Sequence, residues 1–208
     1  MDNEYQSFLE DINEAVSKRP GQAIIELKII GYTALALAGL PERGTKDVDA
    51  LEKSIAAFEQ NKEIVEFLNN EFGKDSPGAL RHGLYLDIVS NAIVWLPPDP
   101  RFIPFKDLSL LRVSRLDPTD TCVTKVFSNF QRKTGRGRDR DDIINALDNH
   151  IINFKDLVGR LDETLPRYET HAQAPEVFPR ILDFIDKLQS RYGPASLRYK
   201  LPSWMENM

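Results

Sequence analysis

The sequence has few of the residues that build disulfide frameworks or zinc sites. A single cysteine, Cys122, excludes an internal disulfide and is typical of a protein from a reducing compartment. The three histidines, His82, His150 and His171, do not have the spacing of zinc ligands. No apolar run approaches the roughly 18 residues that a membrane helix needs. We therefore expect neither a disulfide scaffold nor a zinc protein, and no membrane span.

The sequence also lacks the positive charge of a protein that coats nucleic acid. It has 27 Lys and Arg residues against 32 Asp and Glu residues, which gives a net charge of −5 at pH 7. The opening segment, MDNEYQSFLEDINEAV, is acidic and amphipathic, unlike a secretory signal. The remaining composition, 41% hydrophobic and 28% charged over 208 residues, is that of an ordinary globular protein. We expect a cytoplasmic protein.

Short apolar runs predict a sheet in the first half of the chain. The isoleucine-rich segment AIIELKII is predicted to be a buried strand, and the other predicted strands are 46–51, 84–89, 92–96 and 107–114. Helical periodicity predicts helices near the start of the chain and at 33–40 and 54–72. This mixture predicts an α+β fold with a mixed sheet flanked by helices.

The second half of the chain has helical periodicity throughout. A helix is predicted to begin after Asp117 and run through CVTKVFSNF, and the basic stretch QRKTGRGR separates it from a second helix at DRDDIINAL. Two further helices are predicted in FKDLVGRLDETL and VFPRILDFIDKLQSRY, before a docked or poorly ordered tail. We therefore predict two regions, an α/β core at 1–115 and a helical region at 116–208.

Two aspartates separated by one residue stand on the second predicted strand. Residues i and i+2 of a strand point to the same face, so Asp47 and Asp49 should lie side by side. Carboxylates in this position repel each other unless a cation or a positive group lies between them. Magnesium is commonly held by one or two carboxylates together with water and phosphate oxygens. The alternative is a solvated strand face without a ligand.

Two further residues extend this pattern. Gly31 ends the first predicted strand and precedes a helix, a turn that suits a phosphate but is also compatible with a plain strand-to-helix connection. Asp87 is a carboxylate in an otherwise apolar strand, so we expect it to be half-buried and to need a partner. That partner is either a metal, with Asp87 then placed as a general base, or a neighbouring arginine.

The glycine and the three acids together resemble the nucleotidyltransferase superfamily of the DNA-polymerase-beta type. The pattern G-x-x-A-L…G-x-x-x-R-x-T-x-D-V-D is similar to the AbiEii-like nucleotidyltransferases, many of which are toxins of toxin–antitoxin pairs. That group also has a lysine on the helix after the sheet and a later R-D-x-x-D, which Lys125, Arg138, Asp139 and Asp142 match here. The resemblance covers about residues 24–148.

The resemblance implies a role for each matching residue. Asp47 and Asp49 would bind Mg²⁺ or Mn²⁺, and Asp87 would complete the catalytic site. The nucleotide would lie against Gly31, Arg43 and Thr45, and Lys125 would reach its phosphates. The family's second small residue after the glycine is Tyr32 here, and this tyrosine is expected to narrow the nucleotide pocket.

The basic stretch after Lys125 reverses the acidic balance of the chain locally. Arg132, Arg136 and Arg138 are candidates for binding the phosphates of an RNA acceptor, since such contacts come mostly from Lys and Arg. The alternative is a solvated loop whose charges pair with neighbouring aspartates.

The sequence thus leads to one principal functional hypothesis and two alternatives. The principal hypothesis is a magnesium-dependent nucleotidyltransferase that moves a nucleoside monophosphate from an NTP to a hydroxyl of an RNA end, a protein or a small molecule. A small antitoxin protein would be its partner if it is the toxin of a toxin–antitoxin pair. The alternatives are a catalytically weak relative that binds a nucleotide or a partner, as Tyr32 suggests, and a metal-dependent phosphohydrolase.

Overall fold

The short apolar segments in the first part of the chain pair into one mixed sheet. The structure is a computed structural model that describes residues 2–19, 24–41, 44–55, 62–131 and 137–206. The chain divides into two compact units, which we call the sheet unit and the helical unit. The sheet unit comprises Met1–Val94 and Arg101–Asp117, and the helical unit comprises Trp95–Pro100 and Pro118–Met208.

Five strands make up the sheet within the described residues. They are β1 (Ile25–Ile29), β2 (Asp47–Leu51), β3 (Tyr85–Val89), β4 (Phe102–Asp107) and β5 (Leu111–Leu116). Their order across the sheet is β3-β2-β1-β5-β4. Strand β1 is parallel to β5 and antiparallel to β2, β2 is parallel to β3, and β4 is antiparallel to β5.

The alternation of side chains gives this sheet one apolar face and one polar face. Ile25, Leu27 and Ile29 of β1 are buried, and Ile29 is paired with the buried Ala50 of β2. Because successive residues of a strand point to opposite faces, Glu26 and Lys28 lie on the other face. The two aspartates of β2 lie on this polar face as well, since they alternate with the buried Val48 and Ala50.

Helices of the sheet unit cover apolar surface and frame the strands. They are α1 (Asp2–Ser17), α2 (Gly31–Ala36), α3 (Glu52–Ile55), α4 (Lys62–Phe72) and α5 (Pro77–His82). The Phe8 ring of α1 meets the Phe72 ring edge to face at 5.8 Å between centroids, and both are fully buried. Asp11 of α1 accepts a hydrogen bond from Arg81 at 2.7 Å, which ties α1 to α5.

The helical unit is built around aromatic side chains. Its elements are α6 (Pro118–Gln131), α7 (Arg138–Asp148), α8 (Phe154–Thr164), a 3₁₀ turn (Leu165–Tyr168), α9 (Ala174–Tyr192) and α10 (Ser203–Glu206). Trp95, from the segment that precedes β4, stacks on Tyr168 with a centroid distance of 4.7 Å and also contacts Phe127. Arg160 of α8 binds the fully buried Asp120 of α6 at 2.7 Å.

Two predicted strands differ from the structure. Residues 92–96 do not form a strand, because Trp95 is buried among the aromatic rings of the helical unit and prolines follow at 97 and 98. Of the predicted strand 107–114, residues 108–110 form the turn of a hairpin, in which Leu108 N donates to Leu111 O at 2.8 Å, whereas residues 111–114 belong to β5 as predicted. Strand β4 was missed because it contains Pro104, a residue tolerated at a sheet edge.

The helix boundaries also differ in places. Helix α2 begins at Gly31 and ends at Ala36, earlier than the predicted 33–40. The predicted helix 54–72 corresponds to the end of α3 and to α4, and residues 56–61 between them lie outside the described residues. The short helix α5, which begins at a Ser76 cap, was not predicted.

The predicted fold class is confirmed by the architecture of the chain. The described residues form a mixed sheet with flanking helices, followed by a helical part, as an α+β fold requires. The division at residue 115 stays a prediction, and the segment 95–100 belongs to the helical unit. Among the described helices, none is both long and apolar enough to cross a membrane.

Candidate active site on the polar face of the sheet

Gly31 brings the end of β1 against the acid pair. Its φ of +68° lies in the left-handed region that favours glycine. A Cβ atom on this residue would lie 2.0 Å from Asp49 Oδ2, a distance that a side chain cannot occupy. The backbone is fixed here because Ile30 N donates to Asp49 O at 2.9 Å. Only a glycine therefore fits beside the Asp49 carboxylate.

The three predicted catalytic acids lie on one face of the sheet. Asp47 and Asp49 are both half-buried on β2, and Asp49 is in register with Asp87 on the neighbouring parallel strand β3. Adjacent strands are about 4.8 Å apart and paired residues share a face, so Asp49 and Asp87 are direct neighbours. The sheet thus brings together the three acids that the sequence singled out.

The environment of Asp87 differs from the prediction. We expected a half-buried carboxylate, but the Asp87 side chain is exposed. The reason is that β3 is the edge strand of the described sheet, with only β2 beside it. An exposed carboxylate does not need a buried partner, and it can receive a proton from a group that approaches from solvent.

Two threonines hold Asp47 in place. The Thr45 hydroxyl donates a hydrogen bond to Asp47 Oδ1, and Thr33 Oγ1 of α2 donates to the Asp47 backbone oxygen at 2.8 Å. Thr45, predicted as a nucleotide contact, therefore also orients the carboxylate next to it. Thr33 was not predicted to belong to the site, although its place two residues after Gly31 is a signal that could have found it. Arg43 lies outside the described residues.

Tyr85 joins the acids and was not assigned a role from the sequence. It is half-buried on β3, in register with Asp47 and two residues before Asp87. Its partial burial, and then the negative charges of Asp47, Asp87, Asp49 and Asp75, raise the pKa of Tyr85 above its ordinary value. The phenol is therefore neutral at physiological pH and offers a hydrogen-bond donor beside three carboxylates.

The donor set of this site suits a magnesium ion that the substrate helps to hold. Within the described residues, no group of three or more His, Cys, Asp or Glu side chains is close enough together to hold a metal ion alone. Magnesium usually takes only one or two carboxylates and completes its shell with water and phosphate oxygens. The pair Asp47 and Asp49 supplies such carboxylates, and a carboxylate oxygen of Asp49 lies directly against the backbone of Gly31.

Tyr32 lies in the interior of the sheet unit. Its side chain is only 4% exposed, and its hydroxyl donates to the Pro41 carbonyl oxygen at 2.6 Å. This placement differs from the expectation that Tyr32 narrows a nucleotide pocket. The ring follows the buried face of α2, whose residues from 32 to 36 are all buried. The tyrosine packs against the core and fixes the start of the loop that leads to Thr45.

Lys125 is a buried ion-pair partner in the helical unit. Its Nζ donates to Asp139 Oδ1 at 2.9 Å and to Asp142 Oδ2 at 2.7 Å, and the residue is 5% exposed. Burial alone would lower the pKa of Lys125, but the charges of the two aspartates and their hydrogen bonds raise it above its ordinary value. The ammonium that was expected to reach nucleotide phosphates is thus bonded to two carboxylates.

The basic stretch after Lys125 is only partly described. Arg132 and Arg136 lie outside the described residues, and Arg138 is exposed in the first turn of α7. Asp139 and Asp142 of α7 pair with Lys125. The proposed contact of the three arginines with an acceptor stays a prediction.

Comparison with known proteins identifies the family of this chain. The model of a family described as nucleotidyltransferase of unknown function (DUF6036) matches residues 7–174. A search of curated proteins found no match. A crystal structure of an antigenic nucleotidyltransferase-like protein from Paracoccidioides brasiliensis aligns with a TM-score of 0.42 and 15% identity, over 81% of this chain and 85% of that one.

The family match confirms the predicted resemblance to nucleotidyltransferases, whereas the narrower AbiEii-like group stays a prediction. The match includes the whole of the sheet and the three aspartates on its polar face. The chain belongs to this family of nucleotidyltransferases of unknown function.

Proposed function

We propose that the protein is a magnesium-dependent nucleotidyltransferase that transfers a nucleoside monophosphate from an NTP to a hydroxyl acceptor. The observation that carries this proposal is the acid pair Asp47 and Asp49 beside Gly31, with Asp87 in register on the next strand. Family membership supports the general activity. The metal, the donor and the acceptor are our inference from the residues of the site.

In the proposed reaction, the acceptor oxygen forms a bond to the α-phosphorus of the NTP. The bond from that phosphorus to the bridging oxygen breaks, and pyrophosphate leaves. Asp87, which is exposed, accepts the proton of the attacking hydroxyl and passes it to water. Magnesium bound by Asp47 and Asp49 would neutralise negative charge on the phosphates and on the departing oxygen.

Residues around the acids prepare them for this task. Thr45 and Thr33 fix the orientation of Asp47, and Gly31 lets the Asp49 carboxylate lie against the backbone at the end of β1. The neutral phenol of Tyr85 can donate a hydrogen bond to a phosphate oxygen, which would offset repulsion between the phosphates and the carboxylates. Arg43 would contribute a further contact to the phosphates.

The proposal extends to the setting in which the protein works. An RNA end is the proposed acceptor, and the arginines after Lys125 are its proposed contacts. The AbiEii-like pattern is the basis for proposing a toxin that acts in the cytoplasm with a small antitoxin protein as its partner.

The alternative of a catalytically weak relative rested on Tyr32 in the nucleotide pocket. Because the Tyr32 side chain is buried in the core, that argument loses its support.

A label-transfer assay tests the proposed activity. The purified chain, magnesium and each α-labelled NTP are incubated with total RNA, protein or small-molecule extract, and transferred label is measured after separation. We expect transfer that Asp47→Asn and Asp49→Asn each reduce at least about a hundredfold, while Asp156→Asn, an exposed aspartate of α8, has no effect. Transfer that persists in both β2 variants would show that the acids are not catalytic.

A further inference from the structure

We propose that a groove on the polar face of the sheet binds the base of the donor nucleotide. This inference rests on the proposed function, because it takes the NTP phosphates to lie at the acid pair. The groove is formed by β1, β4 and β5 and has a volume of about 410 Å³. Its lining includes Glu26, Lys28, Phe102, Asp107, Arg112 and Ser114.

The register of the strands places this groove next to the acids on the same face. Ile29 is paired with Ala50, and both point to the apolar face. Their neighbours Lys28 and Asp49 therefore both lie on the polar face, one on each of two adjacent strands. From Lys28 the groove extends across the sheet to Ser114, which is paired with Lys28 on β5. A ligand with phosphates at Asp49 can therefore extend into the groove without leaving the face.

The charges of the groove favour the uncharged end of a nucleotide over its phosphates. The two cations Lys28 and Arg112 face the two anions Glu26 and Asp107, and Lys28 Nζ lies 3.9 Å from Glu26 Oε2. Nucleic acid backbones bind to surfaces with an excess of positive charge, which these side chains do not supply. A base, in contrast, is neutral and has both donors and acceptors on its edge.

The groove also has the shape and the chemistry that a base requires. The Phe102 ring lies on the polar face beside Lys28, whose Nζ is 5.0 Å from the ring centroid. An aromatic ring and an adjacent cation provide a stacking surface that accepts any base. Arg112 is an exposed residue of β5, and its guanidinium offers several hydrogen-bond donors to a base edge. Small-molecule sites commonly have volumes of about 300–1,000 Å³, and the groove lies within that range.

Calorimetric titrations of the full chain with two probes test this inference. Both probes are titrated in the presence of Mg²⁺. The first probe is each of the four ribonucleoside triphosphates, and the second is inorganic tripolyphosphate, which has no base. We expect Arg112→Gln and Phe102→Leu to weaken NTP binding at least about fivefold and to leave tripolyphosphate binding unchanged. Arg101→Gln, which alters an exposed arginine of the same unit outside the groove, should change neither affinity.

The variants of the acid pair keep the two proposals distinguishable. Asp47→Asn combined with Asp49→Asn should weaken the binding of both probes. Unchanged binding of the probes to this double variant would overturn the proposed function. If that double variant weakens both probes but the groove variants bind NTP as the parent does, the groove inference is wrong while the function stands. A third titration uses a single-stranded oligonucleotide. If the groove variants lose binding to this oligonucleotide alone, the groove belongs to an acceptor and the inference is overturned. If Phe102→Leu does not fold, the variant Arg112→Gln, which changes an exposed residue, decides the result alone.

Discussion

Removing the charge of Lys125 should destabilise the helical unit strongly. Lys125→Met keeps the length of the side chain but leaves the carboxylates of Asp139 and Asp142 without their cation. Asp142 is only 1% exposed, so water cannot replace the lost hydrogen bond of 2.7 Å. Breaking a buried ion pair by removal of one partner typically costs about 3–5 kcal/mol. We expect a loss of that size in the free energy of unfolding.

The chain contains a matched control and its own spectroscopic reporter. Lys187 of α9 also pairs with an aspartate, Asp183 at 2.6 Å, but the two side chains are 67% and 63% exposed. Lys187→Met should therefore cost no more than about 0.5 kcal/mol. Both tryptophans of the chain, Trp95 and Trp204, belong to the helical unit, so urea unfolding followed by tryptophan fluorescence reports on this unit.

A third variant separates the lost charge from lost packing. Lys125→Met combined with Asp139→Asn and Asp142→Asn has no unpaired charge, so it should be more stable than Lys125→Met alone. The reasoning would be refuted if Lys125→Met cost no more than Lys187→Met. It would also be refuted if the triple variant were the less stable of the two, since packing rather than charge would then explain the loss.

The pH dependence of stability in the same variants tests the role of the Lys125 charge in a second, independent way. The pKa of Lys125 is raised by folding, so the folded state holds this proton more tightly than the unfolded chain does. The stabilisation is complete below the unfolded lysine pKa of about 10.4 and is lost as the pH rises through the folded value. On the alkaline side, the stability difference between the parent and Lys125→Met should accordingly persist to about pH 10.4 and narrow above it.

Three further predictions concern the sheet unit. Gly31→Ala should reduce the stability of the sheet unit and the affinity for NTP more than Gly83→Ala does. Both glycines have a φ of +68°, but only a Cβ on residue 31 would meet the Asp49 carboxylate. Circular dichroism in urea measures the loss of stability, and calorimetry measures the loss of NTP binding. Tyr32→Phe should cost about 0.5–1.5 kcal/mol through its lost hydrogen bond, and Tyr32→Ser about 3–5 kcal/mol through the cavity that it leaves. Asp47→Asn should lower the pKa of Tyr85, measured by absorbance titration against a Tyr85→Phe reference.

Each of these has a result that contradicts it. Equal losses in the two glycine variants would mean that backbone conformation alone, and not the close approach to Asp49, requires the glycine. A Tyr32→Ser protein as stable as the parent, with tighter NTP binding, would return the tyrosine to the nucleotide pocket. An unchanged Tyr85 titration in Asp47→Asn would show that the aspartate charge does not act on the phenol.

The acids of the site could be found from the sequence because strand geometry is local. A two-residue period puts Asp47 and Asp49 on one face in any strand, and buried Val48 and Ala50 fix which face it is. The close approach of Gly31 to Asp49, which excludes any side chain at residue 31, could be found only from the structure. The two residues are far apart in the sequence, and no local pattern shows that they meet. The same holds for Tyr85, whose register with Asp47 depends on how β3 pairs with β2.

The errors arose where tertiary contacts outweighed the local pattern. Residues 92–96 have a strand-like composition, but Trp95 is more favourably placed among the rings of Tyr168 and Phe127. Lys125 has no sequence feature that distinguishes a phosphate ligand from a buried ion pair, because its partners lie 14 and 17 residues further along the chain. Tyr32 follows Gly31 directly, yet the first turn of α2 directs its ring into the core.

The most direct test of the account is a crystal structure with Mn²⁺ and a non-hydrolysable NTP. Anomalous scattering from manganese would locate the metal independently of the protein atoms. We predict a manganese peak bound by carboxylate oxygens of Asp47 and Asp49 and by phosphate oxygens, with the phosphates against Gly31. A nucleotide bound elsewhere, or a metal that contacts neither aspartate of β2, would contradict the assignment of the active site to the polar face of the sheet.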